Sequence, residues 1–195
     1  MLLIRYINMK KMLLIILLLI PLNIFAVTKD NAILYKCVDG DTARFLVNKE
    51  EVKVRFIGIN SPESVKPNEE AEPYGKEASN YTCRKLKNAE RIVLEYEDKA
   101  ENNDKYGRKL AYVFVDGKLL EELIVKNGYA EVKYINSNYK YYDTLIEAQN
   151  KAIENKKGIY SDSDYSEEKM KKDIVKIIKK YSNKIFSNIL REIFK

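Results

Sequence analysis

Residues 32–59 read AILYKCVDGDTARFLVNKEEVKVRFIGI, and this stretch decides the class of the fold. Apolar and polar side chains alternate with a period of two over residues 32–38, 42–48 and 51–59, which predicts three strands rich in Val, Ile, Phe and Tyr. Asp39-Gly40 and Asn48-Lys49-Glu50 interrupt the alternation, and both are typical turn sequences. The stretch therefore predicts three consecutive strands joined by short turns.

The remaining elements follow from the same patterns. Strands are predicted over 91–97 and 108–115, and helices over 74–87, 119–127 and 139–157, the last two ended by Gly128 and Gly158. Residues 60–73 contain every proline except Pro21 and predict an irregular acidic loop. Five strands with a helix after the third predict an α+β fold, a five-stranded OB-type β-barrel with three packed helices.

The composition excludes several kinds of catalytic site. The chain has 195 residues, 46% of them hydrophobic and 33% charged, which is enough apolar material for a folded core. It has no histidine and only two cysteines, so histidine-based triads, HExxH zinc sites and four-cysteine zinc sites are excluded. Any catalysis must depend on carboxylates, Arg, Lys, hydroxyls and a cation that prefers oxygen ligands.

The net charge of +6 is located at the two ends of the chain. Residues 1–26 carry +3 and residues 166–195 carry +5, whereas residues 27–165 carry −2. The charge of the central part therefore does not indicate a broad surface that follows nucleic-acid phosphates. An anion site there must be small and local.

The first 26 residues have the pattern of a secretory signal peptide. Lys10 and Lys11 precede an apolar run over residues 12–20, followed by Pro21 and a cleavage point after Ala26. The alternative is an uncleaved anchor, although the run is short for a membrane-spanning helix. We expect a secreted or periplasmic protein. Export permits a disulfide between Cys37 and Cys83, but two separately buried thiols are the favoured alternative.

Four short segments carry the functional signal, and each could be purely structural when taken alone. They are Asp39-Gly40-Asp41-Thr42, Arg55-Phe56-Ile57-Gly58-Ile59-Asn60-Ser61-Pro62-Glu63, Pro73-Tyr74-Gly75-Lys76-Glu77-Ala78 and Asp104-Lys105-Tyr106-Gly107-Arg108-Lys109-Leu110-Ala111-Tyr112. Together, their order and spacing resemble the staphylococcal nuclease (thermonuclease) family over about residues 32–160. The resemblance implies an OB-fold barrel and calcium-dependent cleavage of DNA and RNA, single-stranded or unstructured by preference, to 3′-phosphorylated products.

The resemblance also implies roles for individual residues. The catalytic positions are Arg55, Glu63 and Arg108; the Ca²⁺ ligands are Asp41, Asn60 and Ser61; and the nucleotide-pocket positions are Lys105, Tyr106 and Tyr134. Glu63 would act as general base, and the two guanidinium groups would grip the phosphate bidentately. The family usually has aspartate where Asn60 stands. An amide oxygen still suits calcium, but one negative charge is missing, so we expect weaker metal binding.

Residues 166–195 form a basic, amphipathic extension beyond the resemblance. Apolar residues recur at steps of three and four, which predicts a helix with lysines on its opposite face. Three alternatives stay open: a helix packed on the barrel or on a partner, a helix lying on an anionic membrane, or a helix that feeds nucleic acid to the site. The predicted organisation is a signal peptide (1–26), a nuclease-like domain (27–165) and this extension, in a monomer.

The sequence therefore predicts an exported, calcium-dependent endonuclease. The alternative is a non-catalytic OB-fold module that binds nucleic acid or protein and associates with a membrane through the C-terminal helix. The charged positions at Asp41, Arg55, Glu63 and Arg108 favour the enzyme, and only Asn60 favours the alternative.

Overall fold

The computed structural model describes residues 28–64 and 71–161. The elements in chain order are β1 (Lys29–Asp39), β2 (Thr42–Val47), β3 (Glu50–Phe56), β4 (Ile59–Asn60), α1 (Gly75–Lys87), β5 (Ile92–Glu95), β6 (Lys109–Val115), β7 (Lys118–Leu119), α2 (Leu120–Lys126), β8 (Glu131–Val132), α3 (Tyr142–Glu154) and a 3₁₀ turn (Gly158–Tyr160). No helix within these residues is long and apolar enough to cross a membrane.

Five strands close into a barrel. β1 pairs with β2 and β5, β2 with β3, and β5 with β6, all antiparallel, and a parallel pairing of β3 with β6 completes the ring. The inward side chains form one core, represented by Phe45, Val54, Leu94 and Tyr112, none of which is exposed. The predicted α+β class and five-stranded barrel with three helices are confirmed.

The strand predicted over residues 51–59 is two elements rather than one. β3 ends at Phe56, because Gly58 has a φ of +82°, which only glycine adopts without strain. The two-residue strand β4 then leaves the barrel and pairs with β8. This break matters for the site, since it turns Asn60 and Ser61 away from the line of β3.

Two other expectations need correction. The third helix begins at Tyr142 rather than Tyr139, since residues 136–139 form a turn in which the N–H of Tyr139 bonds the carbonyl of Asn136. The favoured expectation of two separate thiols is wrong. Cys37 on β1 and Cys83 on α1 form a disulfide, with Cα atoms 5.6 Å apart, because α1 packs directly on β1. The predicted signal peptide and C-terminal helix lie outside the described residues.

Candidate active site

The site begins at the turn between β1 and β2. Asp41 is 7% exposed, and its Oδ2 accepts the N–H of Ser61 at 2.9 Å while its Oδ1 accepts the hydroxyl of Thr42 at 2.9 Å. A Cβ on Gly40 would lie 2.7 Å from both the Cβ and the Oγ of Ser61. Only glycine at this position lets the turn approach the segment after β4 closely enough for Asp41 to meet Ser61.

Arg55 on β3 is held against this turn. Its Nη2 lies 3.0 Å from Oδ2 of Asp41 and 3.4 Å from Oδ1 of Asn60, and its Nη1 donates to the carbonyl of Phe56 at 2.8 Å. The residue is 9% exposed, and burial lowers the pKa of its guanidinium, an effect that Asp41 opposes. These contacts fix the side chain in one orientation while leaving some of its N–H donors unused.

Arg108 approaches the same place from the loop before β6. Asp104 holds it, with Oδ2 2.7 Å from Nε and 2.6 Å from Nη2 of the guanidinium. Burial alone would raise the pKa of Asp104, but hydrogen bonds from Arg108 and from the N–H of Tyr106 hold it below its usual range. Asp104 was not predicted as a site residue. The sequence feature that could have identified it is its position four residues before Arg108, a spacing at which two side chains can pair across a tight loop.

Glu63 lies on the acidic side of the site, in the segment that follows β4. Although the side chain is exposed, partial burial, a hydrogen bond with Asp39 and the charges of Asp41 and Glu72 raise its pKa to about 7. A carboxyl group with this pKa exchanges protons readily near neutral pH. The sequence analysis did not assign a role to Asp39, because Asp39-Gly40 also has the ordinary explanation of a turn signal.

One cleft of about 670 Å³ brings the predicted residues together. Eight of the nine predicted site residues line it; Ser61 does not, but lies beside Asp41 beneath it. The eight are Asp41, Arg55, Asn60, Glu63, Lys105, Tyr106, Arg108 and Tyr134. Tyr106 and Tyr134 are 71% and 75% exposed. Arg108 lies 5.4 Å from the centre of the Tyr106 ring and Lys133 lies 5.5 Å from that of the Tyr134 ring, so each ring has a cation beside it.

The donor set fits a hard cation. The Asp41 carboxylate, the Asn60 amide oxygen and the Ser61 carbonyl are all oxygen donors of the kind that Ca²⁺ accepts. Oδ1 of Asn60 faces Arg55 because its Nδ2 donates to Glu131 at 3.4 Å. Within the described ranges, no three His, Cys, Asp or Glu side chains form a metal-binding group. A cation would therefore depend on amide and carbonyl oxygens as well as carboxylate.

Comparison with known proteins agrees with this geometry. The family model described as "Staphylococcal nuclease homologue" matches residues 53–162, which is more than half of the chain. The chain belongs to the staphylococcal nuclease family. Thermonuclease of Staphylococcus hyicus is 43% identical over 126 residues, covering 65% of this chain and 73% of that protein.

Two relatives in Bacillus subtilis (strain 168) are named as endonucleases. Endonuclease YncB is 40% identical over 136 residues, covering 69% of this chain and 64% of that protein. SPbeta prophage-derived endonuclease YokF is 40% identical over 131 residues, covering 67% of this chain and 44% of that protein. The chain thus spans less than two thirds of both Bacillus relatives.

Proposed function

We propose that this chain is an exported, calcium-dependent endonuclease that hydrolyses DNA and RNA, preferentially single-stranded, to 3′-phosphorylated products. The coarser statement, a nuclease that hydrolyses phosphodiester bonds, is supported by the relatives named thermonuclease and endonuclease. One observation carries the proposal: two fixed guanidinium groups and an acidic cluster line the same cleft.

The two arginines bind the scissile phosphate in this proposal. Asp41 and the Phe56 carbonyl hold Arg55, and Asp104 holds Arg108, so neither guanidinium must be ordered when the substrate arrives. Their unused N–H donors stabilise the negative charge that develops on the phosphorus oxygens. Arg108 also donates to the departing 5′-oxygen.

Glu63 accepts the proton of the attacking water. Burial and the neighbouring carboxylates raise its pKa, which makes its carboxylate a stronger base than an ordinary glutamate. Asp41, Asn60 and Ser61 would hold the calcium ion, which when bound supplies positive charge next to the phosphate. Lys105, Tyr106 and Tyr134 contact the nucleotide, with the exposed rings available for base stacking.

Digestion of single-stranded DNA tests this function. We expect cleavage with calcium, none with a chelator, and little with Glu63→Gln. Removing one preorganised donor typically lowers the rate by ~10²–10³, so Arg55→Ala should be nearly inactive. Circular dichroism checks that each variant is folded. The 3′-phosphate of the products is checked by its removal with a phosphatase specific for 3′-phosphates.

A non-catalytic nucleic-acid- or protein-binding module is the second candidate, and Asn60 is the observation that favours it. A folded wild-type protein that binds single-stranded DNA but cleaves none with calcium, magnesium or manganese would support that candidate against the enzyme.

Export is supported by the signal-like residues 1–26 and by the Cys37–Cys83 disulfide, since such bonds persist in oxidising compartments. The expected outcome is recovery of the protein from culture medium or periplasm with its N-terminus at Val27, as measured by intact mass. Membrane association through residues 166–195 and a monomeric state are further parts of the proposal.

A further inference from the structure

Three basic residues lie directly opposite one another on adjacent strands. Lys36 on β1 pairs with Arg44 on β2, and Arg44 pairs with Lys53 on β3. We name these three residues the cationic row. Lys36 and Lys53 are exposed, and the Arg44 side chain is 43% exposed, so all three charges reach solvent.

The register places this row beside the catalytic residues. The set of paired residues next to the row on the same three strands consists of Asp39, Thr42 and Arg55. Thr42 and Arg44 are two positions apart on β2, and Arg55 and Lys53 are two positions apart on β3, so each pair shares a face of the sheet. Ala43 and Val54 between them point into the core.

The row runs along the rim of the cleft. Lys53 lines the cleft together with Arg55 and Arg108, whereas Arg44 and Lys36 are not among the lining residues. The neighbouring set lines the cleft on all three strands, and adjacent strands are about 4.8 Å apart, so the row spans roughly 10 Å beside the cleft. A substrate strand that leaves the catalytic arginines across this sheet would pass over the three charges.

The arrangement works against stability. Like charges directly opposite across a strand pair are destabilising, and here they occur twice in succession. Arg44 bonds to Glu51, but within the described residues neither Lys36 nor Lys53 has a carboxylate partner in an ion pair. A polyanionic ligand would remove this repulsion. Residues 27–165, which include the row, have a net charge of −2, so these cations are a local feature.

We propose that the cationic row binds backbone phosphates of a single-stranded polynucleotide at the rim of the cleft, on one side of the bond to be cut. This inference rests on the proposed function and extends it with a site for flanking nucleotides. Tyr35 is 57% exposed and lies at the irregularity in the register between Leu34 and Lys36, so an aromatic residue adjoins the row in the chain. Aromatic rings beside a positive groove commonly hold single strands by stacking.

Binding without cleavage tests the row separately from catalysis. The probe is fluorescein-labelled oligothymidylate of ~20 nucleotides, longer than the site of one OB fold, in EDTA. Dissociation constants are measured by anisotropy over a range of salt concentrations. Each phosphate contact on a single strand contributes about 0.7 to the slope of log K against log salt.

The test variant is Lys36→Gln/Lys53→Gln, which leaves the Arg44–Glu51 pair in place. We expect the salt slope to fall by about 1.4 and the affinity at low salt to fall on the order of tenfold. The matched control, Lys118→Gln/Lys126→Gln, changes the net charge equally at two exposed positions outside the row. It should bind like the wild type. Thermal unfolding should occur no earlier in the test variant, because repulsion has been removed.

An unchanged slope and affinity in the test variant would overturn the proposal, and so would an equal loss in both variants, which would indicate general charge alone. The failure of the proposed function has a different signature. If the wild-type protein never cleaves DNA but Lys36→Gln/Lys53→Gln still binds it more weakly than the wild type and the control do, the proposed nuclease function is refuted and the row remains a binding site.

Discussion

Glu121 is a carboxyl group with none of its surface exposed, at the start of α2. Both of its oxygens accept from the N–H of Val113, at 3.0 and 3.2 Å. Burial raises the pKa of Glu121 well above its ordinary value, and the positive charge of Arg55 opposes the rise only in part. The folded protein therefore holds the proton of Glu121 at a pH where the unfolded chain has released it.

Glu121→Gln should change how stability depends on pH. Because the folded pKa is raised, the contribution of Glu121 is fully present below the unfolded pKa of about 4.5 and is lost as pH rises toward the folded pKa. The variant should match the wild type near pH 4 and exceed it increasingly above, by up to about 1.4 kcal/mol for each pH unit. Urea unfolding at several pH values measures the difference.

Glu122→Gln is the control, since Glu122 is the next residue of the same helix and is only half-buried. If the stability of Glu121→Gln depends on pH in the same way as that of Glu122→Gln, Glu121 does not retain its proton on folding.

Asn60 is the residue that departs from the family pattern. Its amide oxygen lies 3.4 Å from Nη2 of Arg55, among the candidate calcium donors, but adds no negative charge. Asn60→Asp should bind calcium more tightly, because a charged oxygen replaces a neutral one beside Asp41. Isothermal titration of calcium into both proteins measures this, and Asn136→Asp, in an exposed turn, is the control. Equal calcium affinities of the wild type and Asn60→Asp would mean that the missing negative charge at position 60 does not weaken calcium binding.

Among the elements, β1 and α1 jointly support the acidic turn. The Cys37–Cys83 disulfide joins them, and the hydroxyl of Thr82, next to Cys83, donates to the carbonyl of Gly40 at 2.8 Å. Asp39 and Asp41 flank Gly40. The position of the two carboxylates is therefore tied to the packing of α1 as well as to the hairpin.

Reducing the disulfide should destabilise the protein substantially. The bond closes a loop with a sequence separation of 46, for which the chain-entropy relation gives about 4 kcal/mol. Urea unfolding of the oxidised protein and of Cys37→Ala/Cys83→Ala measures the difference. Adding reductant to the double variant is the control and should change nothing. If the double variant is as stable as the oxidised protein, the bond makes no net contribution.

At the scale of the whole molecule, the barrel and its helices form a main core and a small second cluster of Ala152, Ile153 and Tyr160, all from residues within 28–161. A chain limited to residues 28–161 should therefore unfold cooperatively and retain activity on short single-stranded DNA.

The full chain after residue 26 should float with anionic liposomes and the shortened chain should not, if residues 166–195 lie on membranes. Neutral liposomes are the control, since the expected attraction is electrostatic. Equal flotation of both chains would exclude that role for the extension.

Much of the fold could be predicted because its signals are local. The predicted strands became β1, β2, β3, β5 and β6, and α1, α2 and α3 lie within the predicted helices. The candidate catalytic and metal-binding residues came from the family resemblance, which four short motifs carry only when taken together. Eight of the nine line one cleft, and their roles stay predictions.

Other features were decided by tertiary structure alone, because they depend on which strands and helices are neighbours. The sequence could not pair Cys37 with Cys83, since that requires α1 to pack on β1. Nor could it bring Asp39 to Glu63, bury Glu121 under Val113, or align Lys36, Arg44 and Lys53. The packing of helices and loops on the barrel determines the contacts of Cys83, Glu63 and Glu121. Strand register determines the alignment of the three basic residues, because a shift of one residue would turn the side chains of a strand to the opposite face.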